Sequence, residues 1–169
     1  LQAYCTMYMK NFPRDIIKMF YQHAISEVSH DLMALSDLTN LGVNQESVLA
    51  SKPLAQTVAL NGFPIFLMNF DNPLGYLGYL FHLELLPTKN GRQYIDSLRK
   101  MGIPKSSITF LEEHATVDAG HVKMMEKYID RLIETKDDLD AVIYAVEGTA
   151  ELHSQMIQAA FLNGERIHD

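Results

Sequence analysis

The amino-acid sequence predicts an all-α protein from three observations. No stretch alternates apolar and polar residues, whereas several segments repeat apolar residues at spacings of three and four. Proline and glycine stand where such helices would begin and end. The 169 residues are the length of one ordinary domain. We therefore expect a single helical domain over residues 1–169 and, because Leu1 is not a methionine, we allow for a missing N-terminal part.

The first segments follow from capping residues and breakers. Residues 1–10 are typical of the end of a helix. Pro13 suits a first helical turn, and a long helix is predicted from there to about Asn40, where "TNLG" favours a stop. A short element is expected to begin near Asn44. This long helix carries the first of the two motifs on which the functional prediction depends.

The middle of the chain is rich in apolar residues interrupted by breakers. A helix that begins near Ser51 is expected to bend or break at Gly62 and Pro64. The stretch "DNPLGYLGYLFHLELLP" then predicts a separate helix from Asn72 to Pro87, apolar on most sides and therefore buried. Its two glycines favour close contact between helices rather than a phosphate-binding loop.

Three further helices complete the predicted bundle. The first begins near Asn90 and ends at "MGIP". The second runs from about Ser106 to Thr135, and the last covers about Asp138 to Asn163, with Gly164 as its stop.

Composition and charge exclude several functions. A net charge of −7 without any cluster of lysine and arginine argues against a nucleic acid or an anionic membrane surface as partner. No apolar run approaches the roughly 20 residues that span a bilayer, and no leader opens the sequence. The single cysteine, Cys5, excludes an intrachain disulfide, so we expect a cytoplasmic protein. An inert apolar role for Cys5 is favoured over a catalytic one.

Two octapeptides share one pattern: "HAISEVSH" at residues 23–30 and "HATVDAGH" at residues 114–121. In a helix, positions i, i+4 and i+7 lie within an arc of about 60°. Each octapeptide would therefore present histidine, carboxylate and histidine on one face. The apolar residues that continue these faces indicate that both triplets point toward the core.

Buried carboxylates need neutralising partners. Glu84 in the apolar helix adds a third acid to Glu27 and Asp118. Each unpaired buried carboxylate costs several kcal/mol, against a total stability of about 5–15 kcal/mol. The nearby basic residues, Lys18 and Lys123, do not lie on the triplet faces. Metal ions are therefore the favoured partners.

Three carboxylates and three imidazoles are too many ligands for one tetrahedral zinc and are typical of a two-metal carboxylate site. The predicted ligands and catalytic residues are Glu27, His30, Glu84, His114, Asp118 and His121. For His23 we favour a supporting role over direct coordination. For His153 we favour a core histidine over a role in a pocket, and we interpret Tyr128 as a residue that could line the cavity or take part in radical chemistry.

The segments "EVSHDLMALSDLTNLG", "YLFHLELLP" and "FLEEHATVDAGHVK" together resemble the haem-oxygenase-like non-haem diiron oxidases and oxygenases, within the superfamily of thiaminase-like and quinone-forming proteins. The resemblance implies a seven-helix haem-oxygenase-like bundle, often a homodimer, with two iron ions bound by the six residues and dioxygen as co-substrate. Manganese, alone or mixed with iron, would suit the same ligands. The E-x-x-H spacing is similar to that of the branch with fatty-acid decarboxylases. A ferritin-like bundle is excluded, because no separate acidic helix precedes Glu27.

The expected function is the O2-dependent oxidation of a small fatty-acid-like or amino-acid-like substrate, with electrons from the substrate or an external donor. Two alternatives stay open at this point. One is a hydrolase that uses zinc- or manganese-activated water. The other is a non-catalytic binding protein that the metal stabilises.

Overall fold

Eight α-helices make up the part of the chain that the structure describes. The structure is a computed structural model, and it describes residues 1–8 and 11–167, without the side chains of residues 117–119 and 164–167. Within this part there is no β-strand, so the all-α prediction is confirmed. The helices are α1 (Gln2–Cys5), α2 (Arg14–Ser26), α3 (His30–Asn40), α4 (Gln45–Ala50), α5 (Ala55–Phe70), α6 (Gly75–Lys100), α7 (Thr109–Leu132) and α8 (Lys136–Ile167).

The core forms around α6, which packs against α7 and α8, while α2 and α3 contact α7. Ile16 and Phe20 of α2 are fully buried, as the apolar stripe of that helix predicted. Phe20 stacks on Tyr128 of α7, with the ring centroids 4.2 Å apart. Among the described helices, none combines the length and the apolar character that crossing a membrane requires.

The predicted helix from Pro13 to Asn40 is interrupted, which corrects the sequence-based expectation. A turn at residues 27–29 separates α2 from α3. Ser29 adopts φ +80°, and no other non-glycine residue in the described part of the chain has a positive φ. Ser29 is the N-cap of α3, and its left-handed backbone keeps the hydrogen-bond ladder of α2 from continuing into α3. Glu27 caps the C-terminus of α2 and His30 begins α3.

Two predicted helix ends, at Pro87 and at Gly164, are also wrong. α6 runs through Pro87, so the two helices expected on either side of Pro87 are one, and α5 likewise continues through Pro64 without a break. Each proline removes one backbone hydrogen bond, and the packing of the helix on its neighbours outweighs that loss. α8 continues past Gly164 to Ile167, because an internal glycine costs only about 0.5–1 kcal/mol.

The predicted close approach at "LGYLG" is confirmed at Gly78. A Cβ atom there would lie 2.2 Å from the carbonyl oxygen of Val142 and 2.8 Å from the Cβ of Ala145. Only glycine therefore allows α6 to approach α8 this closely. The contact lies six residues before Glu84, so it also fixes where the buried acid of α6 lies.

Candidate metal centre

Four side chains converge from three helices to form the more buried half of the candidate site. Glu84 of α6 lies between two histidines: its Oε1 is 2.9 Å from His23 Nε2, and its Oε2 is 2.9 Å from His121 Nδ1. Glu27 Oε1 completes the group at 3.7 Å from each of the same two nitrogens. Both histidines and Glu84 are buried. The structure thus brings together two imidazoles and two carboxylates with their ligand atoms mutually within 4.8 Å.

The second half of the site uses the other oxygen of Glu27. Glu27 Oε2 lies 2.9 Å from His30 Nδ1 and 3.9 Å from His114 Nε2. The ligand atoms of these three residues are also close enough to hold one ion. Glu27 is therefore shared by both groups, one oxygen toward each, which is how a carboxylate bridges two metal ions.

The chemistry of this donor set fits cations. Among the described residues, none donates a hydrogen bond to the buried Glu27 Oε1, and His23 Nε2 lies 2.9 Å from Glu84 Oε1. Burial acts to raise the pKa of Glu84, but the hydrogen bonds from His121 and His23 outweigh it and hold the pKa at about 2. Burial likewise opposes ionisation of Glu27, yet the imidazoles around it lower its pKa overall. Both acids are therefore anionic at neutral pH, as metal ligands must be.

Two of the histidines have their rings fixed by groups outside the cluster. His114 Nδ1 donates to the backbone carbonyl of Phe110 at 2.7 Å, which leaves Nε2 facing Glu27. His121 Nε2 lies 3.4 Å from Ser26 Oγ, and that hydroxyl donates to the carbonyl of His23. Such outer contacts select the tautomer of a metal-binding histidine and hold its ring in place.

Asp37, a residue that the motifs do not include, supports this arrangement from α3. Its Oδ1 accepts from the hydroxyl of Thr109, and its Oδ2 accepts from the backbone N–H of Phe110 at 2.9 Å. Asp37 thereby caps the first turn of α7, the turn whose Phe110 carbonyl orients His114. In the sequence, only the presence of an acid on an otherwise apolar helix face could have suggested that Asp37 has a structural role.

A cavity of about 950 Å³ adjoins the site. Glu27, Glu84 and His114 form part of its wall, so the cavity reaches both halves of the cluster. The rest of the wall is mainly apolar and comes from the start of the chain and from α2, α6, α7 and α8, with Leu1, Ala24, Tyr76, Leu80, Leu83, Leu86, Pro87, Phe110, Leu111 and Ile157 among its residues. Its volume and mainly apolar wall lie within the range that is typical of small-molecule pockets.

The structure places the remaining predicted residues as follows. His23, for which a supporting role was favoured over direct coordination, lies within the first group together with Glu27, Glu84 and His121. His153 lines the cavity, and its Nδ1 is 3.2 Å from Nε2 of His82 in α6. Tyr128 is fully buried against Phe20 and is not among the described residues of the cavity wall.

Two residues complete the comparison with the sequence-based predictions. The side chain of Asp118, a predicted ligand, lies outside the described residues, so that prediction stands as made. Cys5 is buried in the core, and burial raises the pKa of its thiol to about 12. A thiol held in its neutral form is a poor nucleophile, in keeping with the inert role expected for it.

Comparison with known proteins agrees with the fold and with the chemistry of these ligands. A crystal structure of a domain of unknown function with a haem-oxygenase-like fold, from Shewanella denitrificans OS217, is 25% identical to the chain, with a TM-score of 0.90; the match covers 99% of this chain and 72% of that one. No curated protein matches. The model of a family described as iron-containing redox enzyme matches residues 2–159. Since that match spans nearly the whole chain, the protein belongs to this family of iron-containing redox enzymes and has the haem-oxygenase-like fold.

Proposed function

We propose that the protein is a non-haem diiron oxidase or oxygenase that uses dioxygen to oxidise a small substrate with an apolar chain. The observation that carries this proposal is the shared position of Glu27. One carboxylate oxygen faces His30 and His114, and the other faces the buried group around Glu84. A bridging carboxylate flanked by imidazoles on both sides suits a pair of ions better than a single one.

In this proposal the two groups would hold one iron ion each. His30 and His114 would hold the first, and Glu84, His121 and His23 the second, with Glu27 shared and Asp118 as a further predicted ligand. The bound iron ions supply the electrons and the open coordination positions with which dioxygen is activated. Full reduction of dioxygen takes four electrons per turnover: two would come from the substrate bond that is oxidised, and two more from the substrate or from an external donor, so that the iron ions return to their starting state.

The protein itself contributes orientation, ionised carboxylates and a mainly apolar cavity. The contacts from Phe110 to His114 and from Ser26 to His121 hold the imidazole rings in place. The cavity wall includes Glu27 and Glu84, so a substrate bound there would lie beside both carboxylates. The mainly apolar wall favours a fatty-acid-like substrate over a strongly polar amino acid.

Anaerobic titration of metal-free protein with ferrous iron, followed by mixing with oxygen and a panel of fatty and amino acids, tests the proposal. We expect about two iron ions per chain and oxygen consumption that a matching fatty acid accelerates. Glu84→Ala should abolish oxygen consumption, whereas Glu126→Ala, at an exposed position on α7, should leave it unchanged. Binding of one ion or none would contradict the proposal, and turnover that persists without oxygen would favour a hydrolase instead.

A further inference from the structure

Gln2 contacts the candidate site from outside. It belongs to α1, far in sequence from every predicted ligand, and it is 9% exposed. Its Nε2 lies 2.7 Å from His23 Nδ1, and the contact is buried. The opposite end of the same amide, Oε1, is buried and has no hydrogen-bond partner in the described part of the chain. Nothing in the motifs pointed to this residue.

Metal binding would reverse the hydrogen bond between Gln2 and His23. With the Gln2 nitrogen as donor, His23 Nδ1 is an acceptor and the ring hydrogen sits on Nε2. Nε2 is the atom that faces Glu84 and Glu27, so an ion bound there requires the hydrogen to move to Nδ1. The donor at Nδ1 then needs an acceptor oxygen.

The Gln2 amide can supply that oxygen without any change in shape. A half-turn of the terminal amide exchanges nitrogen and oxygen and brings Oε1, now without a partner, to His23 Nδ1. The result reproduces the arrangement at His114, where Nδ1 donates to the Phe110 carbonyl and Nε2 faces Glu27. We propose that Gln2 is a positioning residue: it fixes His23 in the Nδ1–H tautomer, which coordinates metal through Nε2. This inference rests on the proposed two-metal function.

Zinc-loaded protein with ¹⁵N-labelled histidine provides a test on the wild-type chain. Long-range ¹H–¹⁵N spectra report which ring nitrogen carries the hydrogen, and His23→Gln assigns the signals of His23. We expect His23 to change from the Nε2–H form to the Nδ1–H form when zinc binds. Retention of the Nε2–H form in protein that has bound two zinc ions would overturn the inference.

Substitution at Gln2 gives an independent measurement. Gln2→Met keeps the length of the side chain but removes the acceptor, and we expect it to weaken the binding of one of the two ions by about 10–100-fold. Gln2→Glu, which retains an acceptor, should bind within a few-fold of wild type. Gln93→Met, the same substitution at an exposed position of α6 outside the cavity wall, serves as the control and should bind both ions normally.

The outcomes separate this inference from the proposed function. Unchanged affinity for both ions in Gln2→Met would overturn the role of Gln2 and leave the two-metal function standing. Failure of the wild-type chain to bind two ions would instead overturn the proposed function. Cobalt binding measured by visible absorbance provides the affinities without any need for turnover.

Discussion

Asp37 Oδ2 accepts a hydrogen bond from the backbone N–H of Phe110 at 2.9 Å, which joins the end of α3 to the start of α7. Asp37 is 7% exposed, so water does not replace this bond easily. The backbone carbonyl of Phe110 in turn accepts a hydrogen bond from Nδ1 of His114, four residues further along α7. Asp37 therefore caps the first turn of α7, and the Phe110 carbonyl in the same turn orients the candidate ligand His114.

Asp37→Ala should lower the free energy of unfolding of the metal-free protein by about 1–2 kcal/mol, because the first turn of α7 loses its cap. Urea denaturation followed by circular dichroism measures the change. Glu126→Ala, at an exposed position in the middle of α7, is the control and should shift the midpoint little. Equal midpoints for the two variants would show that the cap contributes nothing.

Substitution of the two glutamates should have different effects on metal content. Glu27→Ala should weaken the binding of both ions, because Glu27 contributes an oxygen to each group. Glu84→Ala should weaken only the ion held with His23 and His121. Loss of a direct ligand should lower the metal affinity by more than about 100-fold, which is the upper end of the loss typical for a residue that only contacts a ligand. Cobalt titration of each variant measures this, and identical titration curves would argue against the shared position of Glu27.

The close helix contact at Gly78 predicts a strong effect of one methyl group. Gly78→Ala would place its Cβ 2.2 Å from a backbone oxygen of α8, so α6 and α8 must separate. We expect a loss of about 1–3 kcal/mol in the free energy of unfolding. Gly62→Ala is the matched control, since it is also helical and its Cβ would meet nothing within 4 Å. That variant should be as stable as wild type or more stable, by up to about 1 kcal/mol.

The buried thiol of Cys5 should be unreactive in the folded protein. Burial raises its pKa to about 12, so the neutral thiol is the form that folding favours. The associated stability is complete below the unfolded pKa near 9 and is lost as the pH rises toward 12. An aromatic disulfide reagent at neutral pH should label the native chain very slowly and one thiol per chain in urea. Rapid labelling of folded protein would contradict the buried position.

The apolar cavity predicts a site for alkyl chains that does not depend on metal. Ala24→Leu adds bulk to the cavity wall and should weaken binding of dansyl-labelled undecanoate about tenfold or more. Ala50→Leu, at an exposed position of α4, should bind as wild type does. Probe fluorescence measures both affinities, and the chain contains no tryptophan to interfere. Equal affinities in the two variants would mean that the probe binds elsewhere.

The sequence predicted the helical class, the buried α6 and the convergence of the two octapeptides, because these depend on periodicity and on the cost of burying charge. The turn at Ser29 was not predictable, since no glycine or proline marks it. The continuity of α6 through Pro87 depends on packing against other helices, which local propensity does not report. The contacts of His23 with Gln2 and Glu84 join distant segments, so spacing within one motif could not reveal them.

Because Ser29 is left-handed, α2 and α3 are separate helices, and different helices carry the candidate ligands of the two groups. His23 and Glu27 belong to α2 and its cap, whereas His30 moves with α3. A change in the length or conformation of the turn between them would shift His30 relative to Glu27 without disturbing the buried contacts of α2. The position of His30 relative to the buried group thus depends on two connecting residues, Val28 and Ser29, and changes there would alter the site while the helices stay intact.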